Sequence, residues 1–154
     1  MLTPEKEPIT LLSGGSYFDS ALSFMIMRGG HLDYSVLGAY ETSESGDLAN
    51  WSTGDAAALP GIGGAMDLAV GARSIWVIME HTTKEGNPRI VTDCRLPLTA
   101  PRVVKRIFTN LAVIDVTPWG LQICEMVEGM TVAKLQGVTG ARLVAAGQIA
   151  LLTA

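Results

Sequence analysis

The sequence predicts a single-domain α/β fold in which a mostly parallel open sheet is covered by helices. Short apolar runs alternate along the chain with segments of helical periodicity, as in βαβ architectures. Runs such as 74-SIWVIME-80 are apolar at successive positions, which is what a sheet covered by helices on both faces requires. The length of 154 residues fits one domain with a substantial core.

Six strands are predicted from short runs rich in β-branched and apolar residues. In chain order they span residues 9–12, 32–39, 74–80, 89–94, 111–116 and 121–126. Helical periodicity predicts four helices, at residues 19–27, 64–71, 101–109 and 131–139. Asp19 and Thr99 are suited to cap the first and third helices, and Gly29 and Gly140 to end the first and fourth.

Two segments, 41–61 and 82–89, are predicted loops because they are rich in turn-forming residues. The first spans about 20 residues, and a loop of that length is more often functional than a simple connector. We assign residues 1–143 to the domain. The apolar segment 144–154 is interpreted as a tail, either a packing extension or an artefact of the gene end.

Composition argues against several classes of function. The net charge of -4 and the lack of a basic run make nucleic acid an unexpected partner, whereas local amides and lysines can still bind small anions. No run of 18 uncharged apolar residues and no signal-like N-terminus occur, so the cytoplasm is the expected compartment. A hydrophobic content of 48% and a mean hydropathy of +0.32 predict that some apolar surface meets a partner.

The cysteine and histidine content is too sparse for a disulfide framework or a structural zinc site. Cys94 and Cys124 lack a CxxC spacing, and both are expected to be buried thiols. His31 and His81 stand at the ends of predicted elements, where hydrogen-bonded structural roles are commoner than catalytic ones.

A glycine-rich loop, 60-PGIGG-64, precedes the second predicted helix. Its side chains can do no acid, base or nucleophilic chemistry, so a function there must come from backbone amides or from the space left by missing Cβ atoms. Free amides at this point could bind a carbonyl oxygen or a phosphate. A tight structural connection is the equally weighted alternative.

A polar and aromatic cluster, Asp47, Asn50 and Trp51, lies inside the long predicted loop. Two interpretations stay open for it. One is an Asx-turn with a packed indole, and the other is part of a binding site.

Several segments in a fixed order carry a family resemblance: GGSYFDSALSFMIMRGGHLD, LGAYETSESGDLANW, GIGGAMDLAVGAR, WVIMEHTTKEGNPRIV, CRLPLT and LAVIDVTPWGL. Together they resemble the B subunit of 3-oxoacid CoA-transferases over roughly residues 5 to 143. The segments LLSGG, ANWSTG and GGAMDLAVGA look most similar to the succinyl-CoA:3-oxoadipate branch.

The resemblance implies a covalent mechanism. In this family a glutamate attacks the acyl-CoA thioester, forms an acyl-glutamyl anhydride and then carries CoA as a glutamyl thioester. That glutamate belongs to a Ser-Glu-Asn-Gly motif, which this sequence does not contain. We therefore expect the nucleophile to lie in a segment that precedes the matched region. No permanently bound cofactor is expected, since the CoA thioester is the substrate, and the implied partners are the A subunit of the transferase, a second copy of this chain, or both.

The resemblance also assigns site residues. The amide of Gly64 matches an oxyanion-hole donor, which needs a fixed N–H and no proton transfer. Pro60 is interpreted as favouring the oxoadipate branch, because the acetoacetate branch often carries a lysine there. The remaining matched positions are assigned to CoA binding: Lys6, Gly38, Ala39, Tyr40, Asn50, Gly61 and Gly63. The segment Pro4-Glu5-Lys6 departs from the family's Asn-Ala-Gly-Lys.

Two rival hypotheses accompany this one. A complete enzyme with another nucleophile would have to use Glu44, Asp47 or Glu80, none of which matches a family nucleophile. A non-catalytic remnant would fold and bind CoA or a partner protein without turnover. The family fold also implies that a chain without the preceding segment has an open sheet edge and an uncovered face, so we expect this chain alone not to be a monomer.

Overall fold

The chain is built around a mixed seven-stranded sheet in the computed structural model, which describes residues 9–55, 61–145 and 147–153. The strands are β1 (Leu32–Gly38), β2 (Glu41–Ser43), β3 (Leu48–Ala49), β4 (Ala72–Ile78), β5 (Ile90–Val91), β6 (Val104–Phe108), β7 (Ala112–Thr117), β8 (Gly120–Met126), β9 (Leu143–Val144) and β10 (Ala150–Leu151). The helices are α1 (Ser20–Arg28), α2 (Ala65–Gly71) and α3 (Val132–Gly137).

The main sheet has the order β1-β4-β6-β7-β8-β10, and β9 also pairs with β8. Strands β1, β4 and β6 are parallel, and β6, β7 and β8 form an antiparallel meander. Both β9 and β10 run parallel to β8, so residues of the predicted tail join the sheet. The α/β class is confirmed, with the parallel part confined to the two ends of a mixed sheet.

The register of β1 against β4 pairs Leu32 with Ala72 and Gly38 with Ile78. The two strands therefore end side by side at the same sheet edge. In open α/β sheets the carboxyl ends of the strands are the usual place for ligands. This register places the candidate site described below.

One face of the main sheet carries the hydrophobic core. Side chains of β4, β6, β7 and β8 pack there against a second layer, which contains the small sheet β3-β2-β5 and α3. The largest fully buried side chains of that layer are Leu48, Ile90 and Leu135. The opposite face is not covered to the same degree by the described residues, and it keeps large apolar side chains exposed.

The predicted cap of the first helix is confirmed. Asp19 Oδ1 accepts a hydrogen bond from Leu22 N at 2.8 Å, and Gly29 closes the other end of α1. Thr131 caps α3 in the same way by accepting from Lys134 N. Among the described residues, no helix combines the length and the apolarity needed to cross a bilayer.

The third predicted helix, 101–109, is wrong, because its central residues form β6. Thr99 followed by Pro101 imitates a helix start, but Val104, Ile107 and Phe108 favour a strand, and β4 and β7 satisfy the backbone on either side. Thr99 is therefore not a helix cap, and its hydroxyl bonds to Asn50.

Three smaller differences concern element boundaries. Residues 9–12 form no strand, and the chain turns immediately after them. The predicted loop 41–61 contains β2 and β3, whose pairing with each other and with β5 orders its first part. Helix α3 ends at Gly137 and is capped by Val138, so it stops before the predicted end at Gly140.

Candidate functional site

A cavity of about 380 Å³ opens at the ends of β1 and β4. Its volume is at the lower end of the roughly 300–1,000 Å³ of typical small-molecule sites. It brings together four residues that the resemblance assigned to CoA binding, with three that sequence reasoning missed. The lining residues are Gly38, Ala39, Tyr40, Asn50, Ile78, Met79 and Arg89.

Two non-local hydrogen bonds bring the long loop to this sheet edge. Tyr40 N donates to Ala49 O at 2.9 Å, which holds the chain after β1 next to β3. Asn50 N donates to Thr99 Oγ1 at 3.1 Å, so the loop is fixed from its other side as well. These contacts place Asn50 beside the strand ends although it is distant from them in sequence.

The Asn50 side chain is oriented by Thr99. Because Thr99 Oγ1 already accepts from the Asn50 amide, its own proton is donated to Asn50 Oδ1 at 2.6 Å. The oxygen of the carboxamide is thereby committed, and Nδ2 forms no hydrogen bond with the described residues. Asn50 therefore offers N–H donors to a ligand.

Arg89 is the cation of the cavity. Its backbone is held by two bonds, from Arg89 N to His81 O at 3.1 Å and from Thr42 N to Arg89 O at 3.0 Å. Its guanidinium forms no ion pair with the described carboxylates. Arg89 and Tyr40 also line a second cavity of about 360 Å³. The sequence signal was only an isolated basic residue before β5, and its lack of an ion-paired carboxylate is visible only in three dimensions.

The glycine loop ends directly on α2. Gly63 has a positive φ of 52°, a conformation that favours glycine, and a Cβ at Gly64 would lie 2.7 Å from the ring of Phe24. The Gly64 carbonyl accepts from Leu68 N at 3.0 Å, while its amide donates to no acceptor among the described residues. An oxyanion donor needs such an amide without an acceptor in the protein, so this observation among the described residues is compatible with the predicted role of Gly64.

The structure does not bring every assigned residue into the cavity. Gly61, Gly63 and Gly64 are absent from its lining. Lys6 and Pro60 lie outside the described residues, so their assignments stay predictions. The cavity thus unites the strand-end residues with Asn50, and leaves the glycine loop as a separate feature.

Each of the two interpretations of the polar cluster in the long loop applies to some of its residues. Asp47 is structural, since it accepts from Ser43 Oγ at 2.9 Å and from Arg102 N at 2.9 Å. Trp51 Nε1 donates to Leu98 O at 3.2 Å, which fixes the indole. Of the three cluster residues, Asn50 is the one that lines the cavity.

His81 is fully buried between β4, the end of β6 and the end of α3. Thr139 Oγ1 donates to Leu135 O at 2.7 Å and so accepts from His81 Nε2 at 2.9 Å, while Thr109 Oγ1 contacts Nδ1 at 3.0 Å. Burial lowers the pKa of His81 to about 4, which keeps the imidazole neutral. A structural role for this histidine fits these contacts.

Neither cysteine has the environment of a reactive thiol. Both are free and half-buried, so the expectation of buried thiols is wrong. Burial, with the nearby carboxylates of Glu41 and Asp47, raises the pKa of Cys94 to about 12, and burial raises the pKa of Cys124. Across residues 9–55, 61–145 and 147–153, no group of three or more His, Cys, Asp or Glu side chains could hold a metal ion.

The family model for coenzyme A transferase matches residues 5–137, which is most of the chain. The chain belongs to the coenzyme A transferase family. It is 49% identical over 148 residues to the B subunit of 3-oxoadipate CoA-transferase of Acinetobacter baylyi, covering 96% of this chain and 68% of that relative. It is 45% identical to the B subunit of a probable succinyl-CoA:3-ketoacid coenzyme A transferase of Bacillus subtilis, covering 92% and 65%.

These relatives identify the chain as a B-subunit member of the family, and it spans about two thirds of their length. The fold agrees. An acyl-CoA transferase from Escherichia coli O157:H7 superposes with a TM-score of 0.74 at 18% identity, over 88% of this chain and 30% of that one. The resemblance drawn from the sequence segments is therefore confirmed at the level of family and fold.

Proposed function

We propose that the chain is the B-subunit part of an enzyme that transfers CoA from succinyl-CoA to a 3-oxoacid, with 3-oxoadipate favoured. The observation that carries this proposal is the cavity at the ends of β1 and β4, where Gly38, Ala39, Tyr40 and Asn50 meet. The names of the similar B subunits, which include 3-oxoadipate and succinyl-CoA, support the choice of substrates.

The proposed chemistry has two symmetric halves. A glutamate carboxylate attacks the succinyl-CoA carbonyl, forming a C–O bond and releasing the CoA thiolate as the C–S bond breaks. The thiolate then attacks the glutamyl carbonyl of the anhydride and releases succinate. The 3-oxoacid carboxylate repeats these steps in reverse and leaves as its CoA thioester. Dividing the transfer in this way replaces one difficult step with easier ones.

In this proposal the glutamate lies outside the present sequence, which has no Ser-Glu-Asn-Gly motif. The present chain contributes the Gly64 amide, which donates to the oxyanion of each tetrahedral intermediate, and the strand-end cavity that receives the thioester end of the substrate. Gly61, Gly63 and Lys6 contribute to CoA binding. The A subunit, or a second copy of this chain, completes the assembly.

The test compares two substitutions at Gly64 in an assembly that contains the A subunit and the glutamate-bearing segment. Gly64→Pro removes the N–H at a φ of -87°, close to the range that proline adopts. We expect it to raise the barrier by about 3–4 kcal/mol. Gly64→Ala keeps the N–H and displaces only the end of the Phe24 ring.

The Ala variant is therefore expected to retain much more activity than the Pro variant. Circular dichroism and thermal melts establish that both are folded. Equal activity of a folded Gly64→Pro variant and the wild type would disprove the oxyanion assignment. If the complete assembly transfers CoA between no pair of succinyl-CoA and 3-oxoacids, the alternative of a non-catalytic remnant holds.

A further inference from the structure

We propose that Arg89 binds a free carboxylate at the far end of the acyl group, so that the cavity prefers dicarboxylic over monocarboxylic acyl chains. This inference rests on the proposed function and specifies the substrate class of the same site. The relatives include enzymes named for 3-oxoadipate, a dicarboxylate, and for acetate, a monocarboxylate. Their names alone do not say which residue makes that distinction.

The first argument is the charge of the cavity lining. The lining contains one cationic residue, Arg89, and the uncharged polar residues Asn50 and Tyr40, but no Asp or Glu among the described residues. Asn50 presents Nδ2 because its oxygen is held by Thr99. The polar groups are thus mainly donors around one positive charge, and a guanidinium matches the planar, two-oxygen geometry of a carboxylate.

The second argument is the contrast with the neighbouring cavity that Arg89 also borders. There Arg95 donates to Glu41 Oε1 from Nη2 at 2.9 Å, so its charge is already paired. Glu85 lines the same cavity, but its pKa is lowered first by a hydrogen bond from Thr83, and the charge of Arg89 is the smallest cause. In this neighbourhood Arg89 and Lys84 are thus the cations that no described ion pair neutralises, and of the two only Arg89 lines the cavity where the strand-end residues meet.

The third argument is the apolar wall. Met79 is buried and Ile78 is partly exposed at the end of β4, and both line the cavity with the uncharged Gly38 and Ala39. A short methylene chain can lie against this wall while its terminal carboxylate reaches Arg89. Succinyl and 3-oxoadipyl groups have that form. The phosphates of CoA are a second source of negative charge, and the experiment separates the two.

Binding of three compounds to the chain, measured by isothermal titration calorimetry, tests the assignment. They are succinyl-CoA, butyryl-CoA and free CoA. The butyryl group has the same four carbons as the succinyl group, with a methyl group in place of the terminal carboxylate. Arg89→Met keeps most of the aliphatic stem and removes the charge. We expect it to weaken succinyl-CoA binding roughly 10- to 100-fold, as loss of a hydrogen-bonded charge pair does, and to change butyryl-CoA binding by less than about twofold.

Lys84→Met is the matched control, because it removes one positive charge from the neighbouring cavity without touching this one. It should leave the preference for succinyl-CoA over butyryl-CoA unchanged. Arg89→Lys, which restores a point charge without the bidentate geometry, should recover part of the preference. That partial recovery separates recognition from a general loss of structure, which thermal melts also monitor.

Three outcomes overturn the inference, and they differ in what they say about the proposed function. Equal weakening of all three compounds by Arg89→Met would mean that Arg89 contacts a CoA phosphate. Unchanged binding of succinyl-CoA would mean that the side chain contacts no ligand. In both cases the proposed function stands. If the wild-type chain binds none of the three compounds, the proposed site itself fails, and the carboxylate assignment fails with it.

Discussion

Both faces of the main sheet carry large apolar side chains, but only one is buried among the described residues. On the core face, Ile75 and Val77 are at most 1% exposed. On the opposite face, Tyr34, Val36 and Ile78 keep 58%, 52% and 58% of their surface exposed. The strand sequences specify which side chains are apolar, whereas a layer that covers them is supplied by other parts of the fold on one face only.

The open face still has an ordered centre. The Trp76 ring lies 4.6 Å from that of Tyr34 and 5.4 Å from that of Phe108, and the Arg106 guanidinium stands 5.9 Å from the Trp76 ring centre. Arg106 also donates to Asp115 Oδ2 at 2.8 Å, and this bond lowers the pKa of Asp115. Aromatic rings beside an arginine are typical of surfaces that bind other proteins.

The largest expected difference between the faces is in stability. Ile107→Ala on the core face removes a fully buried side chain and should cost about 2–5 kcal/mol of unfolding free energy. Ile78→Ala makes the same chemical change on the open face, where much of the side chain already meets water, and should cost much less. Urea unfolding of both variants measures the difference. Equal losses would show that the open face is covered in solution.

His81 gives a pH test of the buried layer. Its pKa is about 4 in the folded chain and 6.5 when unfolded, so the folded state takes up fewer protons between these values. The stability of the chain with a neutral, buried His81 is therefore fully present above pH 6.5 and is lost as the pH falls toward 4. The difference amounts to about 3 kcal/mol. Unfolding free energies measured between about pH 7 and pH 4 should show this loss.

The control for that measurement is His81→Leu. It removes the titrating group, and without the imidazole the Thr109 and Thr139 hydroxyls have the carbonyls of Ala112 and Leu135 as acceptors. Carboxylates also titrate in this range, so the difference between variant and wild type isolates His81. If the unfolding free energies of wild type and variant fell in parallel as the pH is lowered, the pH effect would not come from His81.

Patterns within single elements predicted much of this fold. The long apolar runs at β1, β4, β7 and β8 and the Asp19 cap of α1 were predictable because their signals are local. The error at β6 arose because Thr99 and Pro101 resemble a helix start, while the strand is stabilised by neighbours distant in sequence. Local propensity cannot predict pairing with strands that are distant in sequence.

The candidate site was predictable in part, and for a different reason. Gly38, Ala39, Tyr40 and Asn50 were found by family resemblance, and the structure shows why they converge, through the bonds of Tyr40 to Ala49 and of Asn50 to Thr99. Arg89 was missed because nothing in its local sequence marks it. Its significance comes from the lack of an ion pair with any described carboxylate, which is a property of the folded chain.

A smaller effect is expected on association. The exposed side chains of the open face and the edge position of β1 favour contact with another chain. We expect light scattering across a dilution series to show a dimer or larger species of the isolated chain. Val36→Lys should weaken association about tenfold or more, since it places a charge on the open face.

Val70→Lys is the control for association, because it puts the same charge at an exposed position of α2 and not on a strand of the main sheet. It should leave the dissociation constant nearly unchanged. A stable monomer at low micromolar concentration that binds no hydrophobic dye would contradict the prediction. It would mean that the open face is compatible with water without a partner.

The smallest expected effect is at Thr42 in β2, within the layer that covers the core face. Its side chain is fully buried, and its Oγ1 has no hydrogen-bond partner among the described residues. A buried hydroxyl without a partner loses its hydration and gains nothing in return, so Thr42→Val should raise stability by about 1 kcal/mol. Thr109→Val is the matched control. The Thr109 hydroxyl accepts from the Leu111 and Ala112 amides, so its removal should lower the unfolding free energy. Urea unfolding of both variants should therefore give changes of opposite sign. A lower unfolding free energy for Thr42→Val would show that the Thr42 hydroxyl has a hydrogen-bond partner in solution, and that water reaches this part of the covering layer.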